Sequence, residues 1–202
     1  MFDARLRPLV DPPLNALALW LARRGVGANA LTLLGLLVGL SGAAAISQGW
    51  FGWGLGFIVA NRVLDGLDGA VARVNGPTEL GGYYDIVADF AFYVSVPVGF
   101  GLAAPENLLP ALVLVASFVL TGVSFLAFAV VAAKRGTETV SHGRKGFFYS
   151  TGLAEGGETI LAFVAMCLFP QGFGWIAYGF ALLCVATVFQ RTAMAIGIFR
   201  TE

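Results

Sequence analysis

The chain reads as long apolar runs separated by short polar breaks. A helix needs about 20 mainly apolar residues to cross a bilayer, and six stretches qualify, at about 28–48, 51–72, 82–103, 107–133, 149–169 and 174–198. Ahead of the first, Leu14, Leu17, Ala18 and Leu21 recur at helical spacing beside Trp20, between Pro12-Pro13 and Arg23-Arg24. That pattern predicts an amphipathic helix that starts after the prolines and lies in the membrane interface. The expected fold is all-α, an integral membrane bundle of six transmembrane helices with an N-terminal interfacial helix. No repeat or linker interrupts it, so residues 1–202 form one domain, of which about 1–26 are a cytosolic or interfacial lead-in.

Small residues punctuate the spans. Gly35 and Gly39, Gly52 and Gly56, and Gly152 and Gly156 stand four apart, a spacing that lets helix backbones approach where lipid supplies no hydrophobic drive. Pro97 is expected to kink the third span, and Pro110 to sit in the first turns of the fourth.

Composition strengthens the membrane reading. The chain is 58% hydrophobic and 12% charged, with a mean hydropathy of +0.82, outside the range of soluble domains. Twelve Lys plus Arg balance twelve Asp plus Glu, which gives no sign of a nucleic-acid partner. Cys167 and Cys184 stand far apart in apolar surroundings and read as small buried hydrophobes. The first residues lack the basic start and cleavage site of a signal peptide and are expected to be retained.

Placement of the basic residues orients the spans. With six crossings, Arg5, Arg7, Arg23, Arg24, Lys134, Arg135, Arg144, Lys145 and Arg200 fall on one side, Arg73 sits at its edge, and the opposite turns near 49, 105 and 171 carry none. The positive side faces inward. A multi-pass protein of the cell membrane is expected, with both termini cytoplasmic.

One apolar run ends in NRVLDGLDGAVAR, residues 61–73. Ionisable groups inside a membrane cost about 2.5 to 3.5 kcal/mol each, so they usually face a cavity and serve a function. Asp65 and Asp68 are three apart and Asp85 and Asp89 four apart, so each pair shares a helix face. At 1.5 Å per residue, all four lie roughly 6 to 12 Å inside the cytosolic boundary. Four carboxylates in one layer repel each other, and pairing with Arg62 or Arg73 cannot neutralise them all. Divalent cations can. Oxygen-only ligands favour Mg²⁺ or Mn²⁺ over zinc, and two ions a few ångströms apart can clamp a phosphoryl group. Gly66, Gly69, Ala70, Ala72, Gly81 and Gly82 clear room for a bulky ligand, with Arg73 near its phosphates.

Asp65, Asp68, Gly69, Ala72 and Arg73, then Gly81, Asp85 and Asp89 after seven intervening residues, resemble the signature of the CDP-alcohol phosphotransferase (CDP-alcohol phosphatidyltransferase) family, D-x2-D-G-x2-A-R-x7or8-G-x3-D-x3-D. Every fixed position is filled. The resemblance implies a membrane enzyme that moves a phosphoalcohol group from a CDP-linked donor to an acceptor hydroxyl and releases CMP. It implies that Asp65, Asp68 and Asp85 are metal ligands, with Asp89 a further ligand or neighbour to the metals and the general base. Gly69, Ala72 and Gly81 would shape the nucleotide pocket and Arg73 would contact the diphosphate. Asn61 either lines the nucleotide site or makes an interhelical hydrogen bond. Relatives commonly form homodimers, which extends the same expectation here.

The acceptor is less defined. If the fifth span starts near Tyr149, Glu155 and Glu158 lie roughly 9 to 14 Å inward, where they either bind a cationic acceptor group or pair with Arg191. Arg144 and Lys145 can hold an acceptor phosphate, while Lys134 and Arg135 suit anionic lipid heads; His142 reads as a loop residue. The leading expectation is a phosphatidyltransferase of phospholipid synthesis using CDP-diacylglycerol and a small polar alcohol. Within the family the alternative is a CDP-choline or CDP-ethanolamine enzyme acting on diacylglycerol. From another class, a divalent-cation channel or transporter would also place carboxylates in a membrane, but the outer halves of these spans are nearly free of charge.

Overall fold

A computed structural model describes residues 3–135 and 152–200. Among the described residues seven α-helices run in order: α1 (Asp3–Arg23), α2 (Ala28–Ser47), α3 (Phe51–Asn75), α4 (Glu79–Ala103), α5 (Leu108–Lys134), α6 (Gly156–Leu168) and α7 (Phe173–Phe199). Short 3₁₀ turns, Pro105–Asn107 and Pro170–Gly172, lead into α5 and α7. No strand occurs among the described residues.

The chain reverses sharply because the helix ends are chemically marked. Gly25 and Gly49 adopt φ of +80° and +76°, where a side chain would be strained. At the first, Val26 N–H donates to the Leu21 carbonyl at 3.1 Å and Gly25 N–H to Ala22 at 3.0 Å; at the second, Trp50 N–H donates to Ala45 at 3.0 Å and Gly49 N–H to Ile46 at 2.8 Å. Both are Schellman closures that satisfy the last helical carbonyls. Across the next turn, Thr78 caps α4 by accepting from Gly81 N–H at 3.0 Å.

α2 packs against both α3 and α4, α5 against α4 and α7, α6 against α3, and α1 against α3. Glycine permits the closest approaches. A Cβ on Gly99 would stand 2.6 Å from the Ala43 carbonyl oxygen, and one on Gly39 2.6 Å from Phe92 Cδ2. Gly42 and Gly54 face each other where α2 crosses α3. Of the pairs expected from spacing, Gly35 and Gly39 pack in this way, whereas Gly52 and Gly56 meet nothing within 4 Å. The core is aromatic: Phe100 stacks between Phe51 and Phe173 at 5.5 and 4.5 Å, and Phe163 meets Phe92 and Phe118 edge-on at 5.8 and 6.2 Å. Pro97 and both cysteines are buried in this helical interior, and Pro110 lies in the first turn of α5.

Among the described residues four helical stretches are long and apolar enough to cross a membrane: Ala28–Ser47, Glu79–Ala103, Pro105–Lys134 and Pro170–Phe199. α3 has the length, but its second half carries Arg62, Asp65, Asp68 and Arg73. α6 has only 13 residues, about 20 Å at the helical rise, against a hydrocarbon core of about 30 Å. The stack of Phe51, Phe100 and Phe173 brings the starts of α3 and α7 to one end, where Trp50, Trp53 and Trp175 are strongly exposed. Such an aromatic girdle suits a membrane boundary.

Two expectations change. α1 does not begin after Pro12-Pro13 but runs from Asp3 through them. Both prolines are exposed, so water can serve the carbonyls that lose their helical donors. Its stripe also packs on protein: Ala18 is fully buried, with Leu14 and Leu21 beside it, against Leu31, Leu67, Ala70 and Val71. Leu17 and Trp20 remain exposed, and the Arg24 guanidinium covers Trp20 at 3.9 Å. The second change is at α6. Residues 152–155 are not helical, because local bonds compete with the helix: Gly152 N–H donates to Glu155 Oε1 at 2.8 Å and Ala154 N–H to Thr187 Oγ1 at 2.9 Å.

Candidate metal and phosphotransfer site

α3 and α4, joined by the short turn at Gly76–Thr78, both pack on α2, and their carboxylates meet across the gap between them. Asp65, Asp68 and Asp85 each offer an oxygen within 4.8 Å of the others. Burial is graded, with Asp68 buried, Asp65 half-buried and Asp85 exposed, so the group opens at one side. Thr32 of α2 donates its hydroxyl to Asp68 Oδ2 at 2.7 Å while also reaching the Ala28 carbonyl at 3.1 Å.

Asp89 lies one turn deeper along α4, held by other partners. Arg62 Nη2 donates to its Oδ1 at 3.0 Å and Tyr93 Oη to its Oδ2 at 3.4 Å. Arg62 Nη1 also stands 3.4 Å from Asp65 Oδ2, joining all four acids into one layer. The guanidinium rests over Phe92 and Tyr93, 5.0 and 5.8 Å from their ring centroids. A small cavity opens among Thr32, Asn61, Arg62, Asp65, Asp68 and Asp89. A larger groove formed by Gly49, Trp50, Phe51, Gly52 and Trp53 lies at the tryptophan-bearing end, with no titratable group in its lining.

The donor set fits a hard divalent cation: three carboxylates, no nitrogen or sulfur, and an outer hydroxyl that orients the most buried acid. Asn61 makes the interhelical bond, donating to the Gly35 carbonyl at 2.8 Å, and also borders the cavity. Gly69 faces open space except for Arg73, whose Nη1 would stand 3.5 Å from an added Cβ, so Arg73 folds back along α3 over Gly69. Ala72 is half-buried on the same helix. At Gly81 a Cβ would meet Thr78 Oγ1 at 3.0 Å and Asn29 Oδ1 at 3.2 Å, so its smallness admits the start of α2.

A span starting near Tyr149 would place Glu155 and Glu158 roughly 9 to 14 Å along a helix, but α6 begins only at Gly156. Glu155 is the non-helical N-cap of α6 and Glu158 lies in its first turn. Glu155 acts electrostatically on Arg191, whose Nη1 donates to the Thr121 carbonyl at 2.9 Å and Ser124 Oγ at 2.7 Å. Arg144, Lys145 and His142 lie outside the described residues. Thr32 and Tyr93 were not singled out from the sequence, and Arg62 only as a candidate for internal pairing. One signal could have found Thr32: with Asn29, it is a polar residue near the start of a mainly apolar span.

Residues 26–190 match the CDP-alcohol phosphatidyltransferase family. The inner membrane protein YnjF of Escherichia coli (strain K12) is 45% identical over 192 residues, covering 95% of this chain and 93% of that protein. Among solved structures, Mycobacterium tuberculosis phosphatidylinositol phosphate synthase with CDP-DAG bound superposes with a TM-score of 0.68 at 22% identity, covering 91% of this chain and 93% of that one. The same synthase in complex with manganese and citrate gives 0.65 at 21% identity, covering 89% and 87%. At that identity the likeness establishes the fold; the family match and the close relative establish kinship. The chain belongs to the CDP-alcohol phosphatidyltransferase family and is a membrane-integral transferase.

Proposed function

We propose that this protein transfers the phosphatidyl group of CDP-diacylglycerol to the hydroxyl of a small polar alcohol, releasing CMP, at the cytosolic face of the cell membrane. The observation that carries the reading is the convergence of Asp65, Asp68 and Asp85 within 4.8 Å, with Asp89 tethered beside them, in a chain of this family. A synthase of the same fold, solved once with CDP-DAG and once with manganese, supports donor and cofactor alike.

Asp65, Asp68 and Asp85 would hold Mg²⁺ or Mn²⁺, with Asp89 the further ligand available to a second ion. A metal held there would supply charge that screens the donor's diphosphate and stabilises departing CMP. Arg73 contacts the diphosphate, while Asn61, Gly69, Ala72 and Gly81 shape the pocket for the CDP moiety. Asp89 accepts the acceptor's proton as the hydroxyl oxygen attacks phosphorus; Arg62 and Tyr93 keep its carboxylate in position. Arg144 and Lys145 are available to an acceptor phosphate, and Glu155 and Glu158 either to a cationic acceptor group or to Arg191, on which Glu155 acts. The layer lies roughly 10 Å inside the boundary, so a lipid donor keeps its tails in the bilayer while its head group meets a soluble partner. Six crossings, with α1 in the interface and both termini cytoplasmic, accommodate this arrangement, and the protein works as a homodimer.

The test is an acceptor screen. Purified protein receives labelled CDP-diacylglycerol with glycerol 3-phosphate, inositol phosphate, inositol, serine or choline, and the lipid product is identified. One acceptor should yield a new phospholipid with matching CMP. Consumption of diacylglycerol with CDP-choline or CDP-ethanolamine instead would overturn the choice of donor. If the acceptor bears an amine, Glu155→Gln should lose its product selectively.

A further inference from the structure

Arg62 stands outside the eight-position signature, yet the carboxylate layer is arranged around it. All three of its nitrogens are engaged: Nε donates to Asn61 Oδ1 at 2.8 Å, Nη2 to Asp89 Oδ1 at 3.0 Å, and Nη1 faces Asp65 Oδ2 at 3.4 Å. Asn61 is itself fixed to the Gly35 carbonyl of α2 at 2.8 Å. With the rings of Phe92 and Tyr93 beneath it, the guanidinium is held from several sides as a rigid fork. The three acids that reach within 4.8 Å of one another are Asp65, Asp68 and Asp85; Asp89 is outside that group. Asp65 alone faces both the group and Arg62.

We propose that Arg62 holds the place of a second cation in this layer. The first divalent ion binds Asp65, Asp68 and Asp85, and a second can enter only by displacing the guanidinium from Asp89. The proposal rests on the metal reading above. Its physical basis is competition for one acceptor: a guanidinium and a metal ion cannot both occupy the space between Asp65 and Asp89, and like charges repel strongly where little water screens them. Displacement also strips Arg62 of its best partner in a half-buried setting, which penalises the second ion. The two binding steps are therefore unequal, and Asp89 is oriented before a second ion arrives.

The test counts ions rather than turnover. The full chain in nanodiscs, free of nucleotide, is titrated with Mn²⁺ and followed by calorimetry and by electron paramagnetic resonance, which separates isolated from spin-coupled ions. In the wild type the first ion should bind uncoupled and the second at least about tenfold more weakly. Arg62→Gln should tighten the second ion by about tenfold, with spin coupling appearing at lower Mn²⁺. Asp89→Asn should keep the first ion's affinity and lose the second, a readout that stands even if Arg62→Gln does not fold. Two ions of equal affinity in the wild type, an unchanged second constant in Arg62→Gln, or loss of the first ion in Asp89→Asn would overturn the proposal while leaving the metal centre intact. Absence of any bound Mn²⁺ in the wild type would overturn the metal centre as well.

Discussion

Thr32 is outside the signature, yet its hydroxyl sets the rotation of the most buried carboxylate, donating to Asp68 Oδ2 at 2.7 Å. Outer partners of this kind are typically worth about 10 to 100-fold in metal affinity. Thr32→Val should weaken Mn²⁺ binding by about that factor while Thr32→Ser retains it, as read by direct titration. Asp89 makes a different demand, because its proposed work is chemical. Asp89→Asn should abolish CMP release from CDP-diacylglycerol, and sustained metal-dependent turnover would remove it as the base. The acids themselves were legible in the sequence: spacings of three and four place pairs on helix faces, and four carboxylates among apolar runs are conspicuous. Their partners were not. Thr32 lies 36 positions from Asp68 and Arg62 lies 27 from Asp89, and periodicity along one helix carries no information about contacts between helices.

At the scale of elements, the assembly depends on backbones meeting where side chains are absent. Gly99 faces the Ala43 carbonyl, which cannot yield as a flexible side chain would. Gly99→Ala should push α4 from α2 and cost about 1 to 3 kcal/mol, read as a lowered midpoint of thermal unfolding in detergent. Gly179, on α7 with nothing within 4 Å, is the control: Gly179→Ala should leave the midpoint unchanged or slightly raised. Most helices follow directly from the length of apolar runs, and the turns from Gly25, Gly49 and the prolines. α1 and α6 departed because local chemistry cut across hydropathy. Pro12 and Pro13 of α1 face solvent, where water reaches the carbonyls they leave unpaired, and the bonds of Gly152 and Ala154 to Glu155 and Thr187 hold the lead-in of α6 out of the helix. Hydropathy counts the apolar residues of such a segment but does not weigh a competing hydroxyl from a helix 33 positions away.

For the whole molecule the question is how the chain sits in lipid. Trp50, Trp53 and Trp175 mark one end, and the carboxylates lie toward the other. The fixed order of helices makes a sharp prediction about access. In intact cells, with Cys167 and Cys184 replaced, single cysteines at Gln48 and Gln171 should react with an impermeant thiol reagent, while one at Asn75 should react only after permeabilisation. Reaction at Asn75 from outside would invert the orientation, and protection at Gln48 would remove the crossing assigned to α3.

The proposed activity converges on one pocket between α3 and α4, where the aspartates and a divalent ion would act on a CDP-linked lipid. The most direct measurement is CMP release by the purified protein from CDP-diacylglycerol and its acceptor, with Mg²⁺ or Mn²⁺, with chelator, and with Asp68→Asn. Release should require the metal, stop in chelator, and be lost in Asp68→Asn while the variant keeps its helical content. Undiminished release in chelator, or from Asp68→Asn, would contradict the account.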